Sequence, residues 1–274
     1  MRPIFVVGSP RSGTTLIGNY IGSSSTVLNL GEYAAFYYMH ALIPPPFSRF
    51  PSPYNQRYLE ALKQHAADFA RDAALDQGCS AYCDATPWNL LIGRELAQAF
   101  PNALFVLVLR HFSGVILSLE RSYTDGFTWA GDSWESRARV WSSFYNRAAF
   151  LPRDRMITVG YDQLCATPDV TVERLRENLA QHGVDATGLD LGTFAVSHAT
   201  NPAYQRPTLA TSPPGNGGGL RRISSVDLTG WTTELNRAVA PLVGPTNEML
   251  GLLFPADYTE PDGFAALVGA LQGG

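Results

Sequence analysis

IFVVGSPRSGTTL, residues 4–16, is the stretch on which the fold turns. Ile4, Phe5, Val6 and Val7 form an unpunctuated apolar run, the pattern of a strand buried on both faces. Gly8 and Gly13 then bracket a loop with the glycine spacing of a phosphate cradle, in which backbone N–H groups and the start of the next helix point at an anion. A nucleoside triphosphatase follows its second glycine with Lys and then Ser or Thr, for the terminal phosphates and magnesium. Here Thr14 and Thr15 occupy those places, and the cation, Arg11, lies inside the loop. The loop is therefore suited to an anion without the lysine and metal pair.

The rest of the chain sets the scale. Its 274 residues suit one large α/β domain, residues 1–274, with 45% hydrophobic and 16% charged residues excluding global disorder. A net charge of −4 and an isoelectric point near 5.7 argue against a broad polyanion-binding face, so nucleic acid is not an expected partner and any anion is held locally. No apolar stretch reaches the ~20 residues that span a bilayer, and no leader precedes the first strand, so membrane insertion is not expected. Three cysteines, Cys79, Cys83 and Cys165, are an odd number that suits a reducing compartment, and a cytoplasmic location follows. No metal is expected, because Cys79 and Cys83 have no second Cys or His pair nearby.

Strands alternate with helices along the chain, which predicts a three-layer α/β/α domain around a mostly parallel sheet. Helical spacing covers residues 14–21, 59–76, 113–121, 134–151 and 168–181, and Thr86 with Pro87 opens a helix to about residue 100. Strands are expected at 27–30, 79–84, 103–109 and 156–160, the apolar run ALFVLVL at 103–109 being central. Residues 231–254 read as one or two helices broken near Pro241 or Pro245, and the last dozen residues as a fraying end. Between strands, residues 33–58 are crowded with aromatics and prolines and read as a long loop, either a lid or acceptor wall or a flank of the core. Residues 123–133 (with Tyr123, Phe127 and Trp129) and 203–224 (with SPPGNGGGLRR at 212–222) are further loop candidates near a ligand.

The segment GSPRSGTT directly after a strand resembles the 5′-phosphosulfate loop of sulfotransferases that use 3′-phosphoadenosine-5′-phosphosulfate (PAPS), especially the carbohydrate, protein-tyrosine and bacterial small-molecule branch. That resemblance implies a P-loop-type fold, PAPS as sulfuryl donor and 3′-phosphoadenosine-5′-phosphate (PAP) as product. It places the 5′ end of the donor against Ser9, Pro10, Arg11, Ser12, Gly13, Thr14 and Thr15. The strand, arginine, helix, serine spacing of Arg110 and Ser118 is similar to the family's 3′-phosphate site, where an arginine fork and a hydroxyl fit phosphate oxygens. Arg221 and Arg222 match loosely a late basic loop that closes on that phosphate. A Gly-Glu segment in the family carries a catalytic carboxylate, and Gly31-Glu32 is the matching pair.

Two departures are visible. Asp84-Ala85-Thr86-Pro87 resembles an acidic-Lys-Thr-Pro segment with alanine in place of a frequent lysine, and Phe112 replaces a frequent proline. The implied reaction moves a sulfuryl group to an acceptor hydroxyl of a small molecule, with Glu32 as base and Arg11 stabilising charge. The alternatives are a small-molecule kinase with an altered P-loop and a nucleotide-binding protein that has lost catalysis.

Overall fold

Arg2–Gly8 forms the first strand, β1, and every residue from Pro3 to Gly8 is buried. The computed structural model describes residues 1–41, 53–186, 189, 228, 230–261 and 263–272. Val27–Asn29 (β2), Ala81–Asp84 (β3), Leu104–Leu109 (β4) and Met156–Gly160 (β5) complete a five-stranded sheet in the order β2-β3-β1-β4-β5, with every pairing parallel. The alternation of side chains along a strand sorts the apolar runs onto two faces. Phe5 and Val7 join Phe105, Leu107 and Leu109 on one face, while Ile4 and Val6 join Leu104, Val106 and Val108 on the other. Continuous apolar runs are what a sheet covered on both sides requires.

Helices supply both covers. One face packs against α1 (Thr14–Ile21), α7 (Tyr161–Ala166) and α8 (Pro168–Gln181) through Ile17, Tyr20, Leu164, Val172, Leu175 and Leu179. The other packs against α2 (Ala35–Ala41), α3 (Pro53–Asp76), α4 (Gly93–Ala99), α5 (Phe112–Thr124), α6 (Trp134–Tyr145) and α9 (Thr233–Leu253). The expected α/β layering around a parallel sheet is the observed one. Because β1 leads to α1 on one face and β4 to α5 on the other, their carboxyl ends part and leave a crevice between them, the usual place for a ligand in an open parallel sheet.

Several elements differ from the sequence reading. Ala35–Ala41 is a helix inside the segment read as a loop, and α3 begins at Pro53, six residues earlier than its apolar spacing indicated. Residues 42–52 and 203–224, Arg221 and Arg222 among them, lie outside the described residues. Tyr123 and Thr124 belong to α5 and Thr128–Ala130 is a 3-10 turn, which leaves residues 125–127 and 131–133 of the expected loop outside any helix. The segment after Thr86 divides into a 3-10 turn, Pro87–Ile92, and α4. Helix α9 runs through both Pro241 and Pro245 because its buried stripe, Leu235, Val239, Val243 and Leu250, is anchored on α6, where Ser142 Oγ donates to Leu242 O (2.9 Å) and Thr246 Oγ1 to Asn146 Oδ1 (3.0 Å). The chain end does not fray at once: Phe264–Gln272 is a helix, α10, whose Phe264 packs on His111, Phe112 and Trp231.

The position of Ala85 has a packing explanation. It is buried at the end of β3, and a Cβ built on Gly18 of α1 would lie 2.5 Å from its Cβ. Gly18 thus lets α1 approach the sheet beside Ala85. Gly18→Ala overpacks this contact and should destabilise by about 1–3 kcal/mol. In urea unfolding, Gly18→Ala with Ala85→Gly should recover part of that loss, and strict additivity of the two changes would refute the contact as its cause.

Candidate active site

The loop from Gly8 to Gly13 owes its shape to close packing beneath it. A side chain on Gly8 would meet Ser12 Oγ at 2.5 Å and Val108 O at 2.7 Å, and Gly13 has φ 101° with the Tyr161 ring where a Cβ would stand. Ser12 N donates to Ser9 O (3.0 Å), which closes the turn. Arg11, at φ 70°, also adopts a left-handed conformation that few side chains favour. Ser9, Pro10, Ser12 and Thr14 are buried, whereas Arg11, Gly13 and Thr15 are half-buried at the crevice. Gly13 caps α1 without any side-chain acceptor, so the first amides of α1 are not met by a capping side chain.

Across the crevice, Arg110 ends β4 and Ser118 lies on α5. Arg110 Nη1 donates to Arg11 O (2.7 Å), and Arg11 Nε donates to Ser118 Oγ (3.1 Å). These two bonds tie the loop to the β4–α5 arm. The Arg110 guanidinium lies 4.2 Å from the centroid of the Tyr161 ring, the same ring that packs on Gly13, so one aromatic supports both the loop and the cation. Among the described residues, Arg110 Nε is buried with no hydrogen-bond partner.

The backbone around Arg110 is held by buried groups that sequence patterns did not mark. Tyr145 is fully buried; its hydroxyl donates to Val108 O (2.9 Å) and accepts from Arg110 N (3.1 Å), and burial pushes its pKa up. Trp141 Nε1 donates to Arg110 O (3.1 Å), and His111 N donates to Asp162 Oδ2 (2.8 Å). Burial keeps His111 neutral, with its pKa pushed down to about 3. Tyr161 and Asp162 open α7 directly after β5. Tyr145 carried no signal beyond being one aromatic on an amphipathic helix.

Glu32 stands on the opposite wall. Thr15 Oγ1 donates to Glu32 Oε1 (3.1 Å), which joins the carboxylate to the first turn of α1. Glu32 is solvent-exposed at the crevice edge, and the partial loss of hydration between its neighbours raises its pKa most, followed by the hydrogen bond from Thr15, which lowers it, then the charge of Asp84, which raises it, and that of Arg11, which lowers it. The net direction is upward. The structure therefore brings Arg11, Thr15, Glu32, Arg110 and Ser118 to one crevice, with Ala85 turned into the core beside α1. Among the described residues no group of three or more His, Cys, Asp or Glu side chains could hold a metal ion, and no helix is long and apolar enough to cross a membrane.

Tyr145→Phe removes the hydroxyl and leaves the Arg110 N–H without its acceptor, which should cost about 1–3 kcal/mol. Urea unfolding measures it, and a stability within 0.3 kcal/mol or so of wild type would show that the hydroxyl does not anchor this junction.

Comparison with known proteins comes to the same place. Over 127 residues the chain is 32% identical to an uncharacterised protein of Aquifex aeolicus (strain VF5), a match that takes in 43% of this chain and 16% of that protein's length. A sulfotransferase from Alicyclobacillus acidocaldarius matches in structure with a TM-score of 0.50 and 14% identity, over 94% of this chain and 97% of its own, which shows a shared fold. A sulfotransferase domain from the curacin biosynthetic pathway aligns with a TM-score of 0.46 and 18% identity, over 65% of this chain and 73% of its own. The model of the sulfotransferase family matches residues 3–182, which include the loop, Glu32, Arg110 and Ser118, and the chain belongs to that family.

Proposed function

We propose that the protein transfers a sulfuryl group from PAPS to a hydroxyl of a small-molecule acceptor. The observation that carries this reading is the paired arginine arrangement at the crevice: Arg110, stacked on Tyr161 and bonded to Arg11 O, keeps a buried Nε that has no partner among the described residues, and Arg11 reaches Ser118. A buried guanidinium N–H without an acceptor is costly unless a ligand meets it. A phosphate oxygen is the natural acceptor for that fork. The residues present thus fit a donor with anionic groups at both ends, the 5′ end at the loop and the uncapped amides of α1, the 3′-phosphate at Arg110 and Ser118.

When bound, the donor supplies a sulfuryl group attached to a phosphate that leaves readily. The chain's own part is acid–base and electrostatic. Glu32, oriented by the Thr15 hydroxyl, would accept the proton of the acceptor hydroxyl, which needs hydrogen-bond reach and an ionised carboxylate. Arg11 and the first amides of α1 would stabilise negative charge at the loop. With Ala85 packed on α1, no cation enters from the end of β3, so Arg11 carries more of that duty. We read the acceptor as apolar or aromatic from the rings that follow β3 and α5, where Trp88 and Trp129 lie edge-on with centroids 5.3 Å apart.

Incubation with [35S]PAPS and a panel of phenols, alcohols and sugars tests the reading, with labelled ester and PAP expected together. Magnesium-dependent consumption of ATP without PAP formation would contradict it. Arg11→Ala should lower kcat by about 10²–10³. Because the Glu32 pKa is raised and the base acts when deprotonated, kcat should rise with pH along a limb lying above the ordinary Glu value of about 4.3, and Glu32→Gln should abolish turnover while PAP still binds. Wild-type turnover in either variant would remove that residue from the mechanism.

A further inference from the structure

Asp84 is 0% exposed, and the functional reading leaves it without a task. Its carboxyl is surrounded by donors. Oδ1 accepts from Thr86 N (2.9 Å), Thr86 Oγ1 (2.6 Å) and Tyr33 N (3.3 Å), and Oδ2 accepts from Asn89 Nδ2 (2.8 Å). Four donors facing one carboxyl are the surroundings of a carboxylate, which only accepts. The network extends to the turn that bears Glu32. Ala34 N donates to Thr86 Oγ1 (2.9 Å), Ala85 N donates to Gly31 O (2.7 Å), and Gly31 N donates to Asn29 Oδ1 (3.0 Å). Within this turn Gly31 takes φ 64° at no steric cost, whereas Ala34 has φ 43°, a left-handed conformation that a non-glycine residue seldom keeps unaided.

We infer that Asp84 is a positioning residue for Glu32, acting through the Tyr33 and Ala34 amides that it and Thr86 grip. This rests on the reading of Glu32 as the base. Two neighbouring amides fixed from β3, together with the Gly31 carbonyl fixed by Ala85 N, leave the Glu32 side chain with its own rotamers as the main remaining freedom, and the Thr15 bond restricts those. The arrangement also couples two charges. Among the described residues, the charged groups that act on Glu32 are Asp84 from the end of β3 and Arg11 from the loop, the first favouring the protonated acid and the second the carboxylate. A buried, hydrogen-bonded carboxylate beneath the turn thus makes Glu32 a stronger base than Arg11 and Thr15 alone would leave it.

Asp84→Asn is a fair test because the fold has a ready accommodation. The new amide keeps an acceptor for Tyr33 and Thr86, and Asn89 Oδ1, buried without a partner among the described residues, can turn to accept its N–H. A 13C-detected titration of the Glu32 carboxyl, assigned by its loss in Glu32→Gln, should show the midpoint moving to lower pH in Asp84→Asn, and an unmoved midpoint would overturn the coupling. Thr86→Val removes the acceptor of Ala34 N and the hydroxyl donor to Asp84. It should lower kcat about 10²-fold with the Kd for PAP unchanged, and Thr86→Ser should restore it. Wild-type kcat in Thr86→Val would overturn the positioning role. If the titration midpoint moves but the acid limb of kcat stays in place, the coupling holds and Glu32 is not the base.

Discussion

A guanidinium that donates to a backbone carbonyl holds the two sides of the crevice together. Arg110 Nη1 on Arg11 O joins the end of β4 to the loop after β1, and these adjacent central strands send their helices to opposite faces of the sheet. Without such a bridge the parting of the two chains would leave a gap bordered by the flexible end of a glycine loop. The bridge in turn needs support, because a half-buried arginine is stable only where its donors and its flat face are met. Tyr161 meets the face, Tyr145 and Trp141 hold the backbone on either side of the residue, and Asp162 holds the next amide. Much of the buried polar structure between β4, α6 and α7 serves this one side chain.

The opposite wall is built by a different device. There the catalytic candidate is a carboxylate on a short turn, and its backbone is gripped from β3 by the Asp84 and Thr86 pair. Thr15 connects the two walls, since it stands in the first turn of α1, directly after the loop, and donates to Glu32. Arg11 and Glu32 therefore meet at the start of one helix, each fixed by a strand end rather than by a long loop. Sites carried on strand ends hold their geometry better than sites on loops.

Sequence made the sheet legible for a simple reason: strands buried on both faces must be apolar throughout, and residues 4–7 and 103–109 could be little else. Met156–Gly160 matches its expected bounds. The segment 33–58 misled because prolines at 44–46 punctuate the chain just after Ala41, while residues 35–41 read as helix only once Phe36 is seen packing on Phe5, Phe100 and Tyr82. Pro241 and Pro245 misled in the opposite direction, since propensity ends a helix that tertiary burial continues. At the crevice, Arg11 was marked by the loop itself, whereas Arg110, Ser118 and Glu32 were marked by their resemblance to family motifs. Tyr145 and Tyr161 act through contacts between residues far apart in the chain, such as Tyr145 with Val108, and no local pattern encodes these.

The central claim is that Arg110 and Ser118 form a site for a second phosphate. Thermal unfolding with PAP, with 5′-AMP and with magnesium and ATP tests it most directly, since a ligand at ~100 times its dissociation constant adds about 2.7 kcal/mol of stability. The account predicts a large shift with PAP, a much smaller one with 5′-AMP, and loss of the difference in Arg110→Ala. Equal shifts with PAP and 5′-AMP, or a shift with magnesium and ATP alone, would contradict it.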